Sequence, residues 1–465
     1  MNQKGSDQQD IERPSDDLSE RNALCSQHNL VPAWLRWPPS PHLLVAASAW
    51  GSRLINMAVQ LFCIRLLLPK LGTEQYAAYI LLNSLAGWYL LADMGIGYSL
   101  QNYISECRAK GASYQEYLMA ALLSGGLLLV GISVGLFFVS PFLGPLLLKH
   151  SYFLSSQEKS HAFLISGLFF AIFGVSSMGL KFWYALQKGY VSNLLTAFAS
   201  LLTLFGVLWI VHSHSPHVLF WSLVALTAPP AAMALIAIIT MAAHNSLSRH
   251  LDSHILRRIW GRSLQFWLNS LLSLFVLQVN YLIMAQTLSN RQVVIYSLAD
   301  KVFGSAMTMF LVALQALWPV VTELIVRQQW SRVMEHIRSY LLGGIGFMLA
   351  VTAFFLIFRH PILAVLSPRE ALTIAPSFLL LYGTYQLVMI WTGVFSTVLL
   401  SKTDLKPLLI LVSVQALICA PLQWILAERF GLYGIVWGLL ISFLLTTAWA
   451  LPLRVRSHMR EARSV

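Results

Sequence analysis

Three residue groups in this chain could do chemistry inside an apolar environment. Arg53 stands about ten residues into a long apolar run, with Asn56 and Gln60 at i+3 and i+7. That spacing places all three on one helical face. A guanidinium roughly 15 Å into a bilayer, at 1.5 Å of rise per residue, reaches water with difficulty, and charge held there is costly and usually functional. A second run carries the adjacent pair Asp300 and Lys301, with Gly304, Thr308 and Gln315 within about 80° of Asp300 around the helix. A third carries Asn269, Ser273 and Asn280 on one narrow face. Cationic side chains can neutralise an anionic ligand group in a low-dielectric cavity, and amides and hydroxyls can hydrogen-bond its polar remainder. The competing reading is interhelical hydrogen-bond glue, with Arg53 paired to a structural carboxylate such as Asp93. Glue explains Asn and Ser well and adjacent opposite charges poorly. The candidate substrate-binding residues are therefore Arg53, Asn56, Gln60, Asn280, Asp300, Lys301 and Gln315.

Asp93 lies in Ala92-Asp-Met-Gly-Ile-Gly97, near one end of an apolar run. It could bind a coupling cation, lock a gate, or end a helix beside two glycines. Asp93 and Asp300 are the candidates for coupling or gating. Arg65 and Lys70 suit interfacial anchoring, and Glu323, Lys181 and Arg359, near run ends, are expected to be solvated.

These residues need helices that cross a bilayer. Of 465 residues, 57% are hydrophobic and 11% charged, against about 25% charged in a typical soluble protein. Too little charge remains to coat a soluble surface of this size, so lipid must cover much of it. Apolar runs separated by polar turns predict spans over 43–68, 76–99, 117–140, 162–184, 190–212, 217–243, 263–287, 292–322, 338–358, 372–399, 407–427 and 431–453. Each has roughly the 20 residues a span requires, and 292–322 is long enough to tilt or to bend at Pro319. The fold class is all-α: a polytopic membrane protein of about 12 transmembrane helices in two six-helix bundles.

The net charge of +12 is first a topology signal. Of the 31 Lys and Arg residues, 21 fall on the side of the N-terminus, 7 on the opposite side and three (Arg53, Arg65 and Lys301) within spans. That bias puts both termini in the cytoplasm, with the strongest anchors at Arg249, Arg257, Arg258 and Arg262 and at Arg454, Arg456, Arg460 and Arg463. The expected organisation is an N-terminal tail over 1–42, a six-helix bundle over 43–243, a basic linker over 244–262, a second bundle over 263–453 and a basic tail over 454–465. The N-terminal tail is polar and acidic, and Trp34 and Trp37 beside Pro38 and Pro39 suit the interface before the first span.

A faint repeat supports the division. Leu71-Gly-Thr-Glu-Gln-Tyr-Ala-Ala-Tyr79 and Leu288-Ser-Asn-Arg-Gln-Val-Val-Ile-Tyr296 agree at Leu, Gln and Tyr, and Leu186-Gln-Lys188 corresponds to Leu400-Ser-Lys402. Both pairs occupy equivalent places in the topology. Six helices per half preserve orientation, so the repeat is parallel, with a substrate site expected between halves.

Several functions find no support. The chain has no phosphate-binding Walker loop and no GxSxG. Its cysteines (Cys25, Cys63, Cys107 and Cys419) are scattered without a CxxC pair. His212, His214 and His217 cluster in a loop without metal spacing. The Gly131/Gly135 and Gly434/Gly438 spacings suit close helix contacts. No cofactor, metal or nucleic-acid partner is expected.

Two segments carry a family resemblance. Trp50-Gly-Ser-Arg53-Leu, continuing through Leu71-Gly-Thr-Glu-Gln-Tyr76 to Leu91-Ala-Asp93-Met-Gly95-Ile-Gly97 and Ile104-Ser-Glu106, resembles the N-terminal region of polysaccharide (O-antigen-type) repeat-unit flippases. These belong to the multidrug/oligosaccharidyl-lipid/polysaccharide exporter superfamily. Tyr296-Ser-Leu-Ala-Asp300-Lys301 is similar to the charged Ala-Asp-Arg segment of the related lipid II flippases, whose first-span arginine Arg53 also resembles. Lys301 departs from that pattern: it keeps the charge and loses bidentate geometry.

The resemblance implies a transporter, not an enzyme, whose substrate is an oligosaccharide on polyprenyl diphosphate, moved across a cell inner membrane by alternating access. Arg53 and Lys301 would neutralise the diphosphate. Membrane lipid, a coupling ion (proton or sodium) and a glycan polymerase machinery are the partners it suggests. A drug or metabolite cation antiporter of the same superfamily is the alternative, and a carboxylate-dominated cavity would favour it. A membrane-embedded glycan-transferring enzyme is the other, and it would need clustered acids or a His-acid pair.

Overall fold

The computed structural model describes residues 41–213, 215–245, 252–366, 372–402 and 405–463. The expected tail before Pro41, with Trp34 and Trp37, and the anchor Arg249 lie outside the described residues, as do Cys25 and His214. Among the described residues there are helices and no strand.

In chain order the helices are α1 (Pro41–Tyr89), α2 (Ile96–Ala109), α3 (Gln115–Leu147), α4 (Ser156–Ala185), α5 (Gly189–His212), α6 (Val218–His244), α7 (Ser253–Thr287), α8 (Asn290–Val326), α9 (Trp330–Ile357), α10 (Arg359–Leu366), α11 (Pro376–Ser401), α12 (Leu405–Phe430), α13 (Leu432–Leu445) and α14 (Thr447–Arg463). Among the described residues, eleven stretches are long and apolar enough to cross a membrane. The first, Ala47–Tyr89, has 43 residues, about twice the roughly 20 that one crossing needs. Pro69 and Gly72 break it, Gly72 at φ 70° and ψ 170°. That left-handed φ is open to glycine at little steric cost, so α1 makes two limbs and the crossings number twelve. The chain is a multi-pass membrane protein, as its composition predicts.

Two boundaries differ from expectation. The predicted span 76–99 is interrupted: α1 ends at Tyr89, a turn follows, and α2 begins at Ile96. The tenth crossing begins at Pro376, not 372, because proline at the first helical position fixes its start. At the loop before α4, Ser155 makes a capping box with Glu158, whose carboxylate accepts from the Ser155 backbone N–H at 2.8 Å.

The helices pack in two sets. α4 lies on α3 and α6, and α5 on α1 and α6; α11 lies on α8 and α9, and α12 on α7 and α13. Buried shares agree between the sets at two places and differ at another, the sixth crossing being 33% buried and the twelfth 61%. The third and ninth crossings are the most lipid-facing kind, 17% and 22% buried, whereas the fourth and tenth are 61% buried each.

Between the sets, α7 is held at both ends. At one end Gln286 donates to the Leu146 carbonyl (2.5 Å) and Asn290 to the His150 carbonyl (3.1 Å). At the other, Arg262 pairs with Glu106 (2.7 Å) and lies 4.9 Å over the Tyr103 ring. Gly95, at φ 78°, brings the α1–α2 turn against α7; a Cβ there would stand 2.4 Å from the Ser263 carbonyl. The glycine pairs divide. A side chain at Gly434 or Gly438 would collide with α12 backbone, as expected of a close contact. A Cβ at Gly131 or Gly135 meets nothing within 4 Å. Those two face outward from α3, the peripheral helix, and the expected contact is absent.

Candidate substrate cavity

A cavity of about 430 Å³ opens among α1, α4, α5, α6, α7 and α8. A recess of about 260 Å³ runs between α1 and α8 alone. Asn56, Gln60, Asp300 and Lys301 line both spaces, so the two are neighbours across these side chains. Arg53 lines the recess, with Trp50, Gly304 and Thr308.

The i, i+3, i+7 spacing on α1 delivers its residues to one place as expected. Lys301 Nζ donates to Gln60 Oε1 at 3.2 Å, and Gln60 Nε2 donates to Asn56 Oδ1 at 3.2 Å. This relay crosses from α8 to α1. Asp300, next in sequence to Lys301, is held on the α7 and α11 side. Tyr281 Oη donates to Asp300 Oδ2 (2.9 Å) and Tyr382 Oη to Asp300 Oδ1 (2.8 Å). Two phenol donors stabilise the carboxylate without a cation, and they leave the Lys301 ammonium directed toward α1.

Asn280 goes elsewhere. It is buried and lines neither space; its Nδ2 donates to Tyr296 Oη at 2.6 Å. The face it shares with Ser273 is the same on a helical wheel, yet its neighbour is the α8 core. The side chains of Gln315 and Asn269 lie outside the described residues.

Asp93 occupies the turn between α1 and α2. Its Oδ1 accepts from Gly95 N–H (2.9 Å) and its Oδ2 from Gly97 N–H (3.1 Å). Lys181 of α4 pairs with Oδ2 at 2.8 Å and lies 4.0 Å over the Tyr98 ring. The carboxylate is thus paired with Lys181 and not with Arg53. Lys181 is not solvated as expected, for 16% of its side chain is exposed, against 2% for Asp93. Burying either alone would be costly, and each compensates the other. The expected anchors fit better: Arg65 is exposed, and Lys70 donates to the carbonyls of Val211 (3.0 Å) and Ser213 (3.1 Å), where a cation suits a helix C-terminus. Glu323 is exposed and paired with Arg327.

Sequence reasoning missed Tyr281 and Tyr382, the partners of Asp300, and also Asn83 and Gln278, which line the larger space. A signal for Asn83 existed, as the lone carboxamide of its crossing, whereas Gln278 shares its crossing with Asn269 and Asn280. No His/Cys/Asp/Glu group suited to a metal occurs among the described residues.

The MatE family model matches residues 267–425. A Yersinia pseudotuberculosis protein named "Putative O-antigen export protein" is 33% identical over 421 residues, covering 90% of this chain and 96% of that one. A Salmonella typhi protein named "Putative O-antigen transporter" is 35% identical over 411 residues, covering 88% and 95%. In fold the chain is similar to an inward-facing multidrug resistance MATE transporter of the MOP superfamily, with a TM-score of 0.72 at 13% identity over 90% and 99% of the two chains. It is similar also to a lipid II flippase in an inward closed conformation, with a TM-score of 0.68 at 13% identity over 89% and 87%. The extended identity with the two O-antigen proteins shows that the chain belongs to their family.

Proposed function

We propose that the protein is a flippase for lipid-linked oligosaccharide, moving polyprenyl-diphosphate-linked repeat units from the cytoplasmic to the outer leaflet of the cell inner membrane by alternating access. The observation that carries this reading is the shared recess: Arg53 from α1 and Lys301 from α8, one from each set of helices, line it together. A diphosphate bridging both cations would bind one arrangement of the two sets better than the other, and such differential affinity drives a conformational cycle. The polyprenyl tail can stay in lipid while the head group crosses, and no covalent bond breaks. The moving units are the bundles 43–243 and 263–453, joined by the basic linker 244–262, with the basic tail 454–465 on the same cytoplasmic side as the N-terminus. The fold's transporter relatives and the O-antigen proteins support transport over catalysis.

A cation antiporter would use Asp300 as its binding carboxylate. Both Asp300 oxygens already accept from tyrosines, and Lys301 and Arg53 stand beside it, so the site repels a cation more than it attracts one. The test is genetic: in cells lacking their own repeat-unit flippase but supplied with the cognate glycosyltransferases, this chain restores surface glycan. Failure to do so with membrane levels intact would remove the assignment.

A further inference from the structure

The larger cavity distributes its polarity unevenly. Of the residues lining it, only Asp300 and Lys301 carry charge, both on α8 at its edge toward the recess. The rest of its polar lining is uncharged. Within it, Asn83 on the second limb of α1 and Gln278 on α7 make no hydrogen bond among the described residues. Gly87, one turn beyond Asn83, leaves the room Gln278 occupies, since a Cβ there would lie 3.1 Å from Gln278 Cδ. Tyr76 and Tyr79 are stacked at 5.5 Å and nearly buried. Their hydroxyls also make no hydrogen bond among the described residues, though both line the space. These four groups face the open space and remain free to bond a polar occupant.

We infer that this cavity selects an uncharged glycan: sugars bearing hydroxyl and amide groups but no carboxylate or phosphate of their own. The inference rests on the flippase reading above. Carboxamides that both donate and accept match sugar hydroxyls and acetamido groups, and the hydroxyls of Tyr76 and Tyr79 can do the same. An acidic sugar would need a cation in the wall. The cation in this wall, Lys301, also lines the recess, where it and Arg53 are engaged by the diphosphate in the proposed complex. A carboxylate carried into the cavity would exchange water for neutral donors alone, and it would stand in the same space as the Asp300 carboxylate. The volume, about 430 Å³, falls at the lower end of the roughly 300–1,000 Å³ typical of ligand pockets, which suits a short unbranched segment.

Three probes test this against the full-length protein in nanodiscs: a short-chain polyprenyl diphosphate bearing a neutral disaccharide, its analogue with the second sugar oxidised to a hexuronate, and the bare polyprenyl diphosphate. The neutral probe should bind at least about tenfold more tightly than the hexuronate, a difference of about 1.4 kcal/mol. Asn83→Ala and Gln278→Ala should each narrow the gap between the neutral and bare probes, and Asn83→Lys should favour the hexuronate. The wild-type ratio decides even where a variant folds poorly. Equal or tighter binding of the hexuronate probe overturns the inference and leaves the flippase reading standing. Failure of all three probes, the bare diphosphate included, overturns that reading and this inference with it.

Discussion

Arg53 and Lys301 are the residues on which the proposed mechanism turns. Arg53→Ala and Lys301→Ala should each leave protein in the membrane and abolish surface glycan assembly, whereas Lys301→Arg should retain it because the charge persists. Arg65→Ala, at an exposed position, should change little. Immunoblots of membrane fractions beside glycan gels separate loss of function from loss of protein. The Asp93–Lys181 pair makes a different prediction. Lys181→Met leaves a carboxylate that is 2% exposed without its cation, and breaking such a pair costs about 3–5 kcal/mol. Adding Asp93→Asn should recover much of the thermal stability in detergent; a double variant no more stable than the single would show that the pair is not the stabilising unit. The stripes of Arg53, Asn56 and Gln60 and of Asp300 and Lys301 were legible because helical periodicity is local. Tyr382 was not, since it reaches Asp300 from 82 residues away, and no spacing rule links the two. Asn280 shows the limit of a wheel, which gives a side chain's angle but not whether a cavity or a core lies in that direction.

Among the elements, the twelve crossings were readable from composition, and their breaks only in part. The break at Gly72 was legible, since the polar stretch 69–75 separates the predicted spans 43–68 and 76–99, although the helix runs on to either side of it. The turn at 90–95 interrupts what reads as one span because Asp93 satisfies the N–H groups of Gly95 and Gly97 in place of helical partners. Gly95→Ala should lower stability by more than about 1–2 kcal/mol, the usual cost of a left-handed L-residue, because its Cβ would also meet α7 backbone. Gly131→Ala, in open space, should fall within about 0.5 kcal/mol of wild type. Thermal shifts of the two purified variants compare them directly, and equal shifts would argue against the α2–α7 approach. Periodicity could not separate Gly131/Gly135 from Gly434/Gly438, since identical spacings face lipid in one helix and a neighbouring backbone in the other.

For the whole molecule, the proposed mechanism has two bundles rock about a shared cavity. A reporter fused after Val465 should be active only as a cytoplasmic reporter; activity of a periplasmic one would reverse the orientation. The Arg262–Glu106 bridge spans the two helix sets and must open if that end of the molecule does. The central claim is protein-dependent movement of a lipid-linked glycan. Its direct measurement is the fraction of a polyprenyl-diphosphate-linked oligosaccharide that becomes accessible to an external glycosidase in reconstituted liposomes. The account predicts that this fraction rises with the protein and falls to the protein-free level in the Arg53→Ala, Lys301→Ala double variant. A wild-type fraction no higher than that of empty liposomes, or an undiminished one in the double variant, would contradict it.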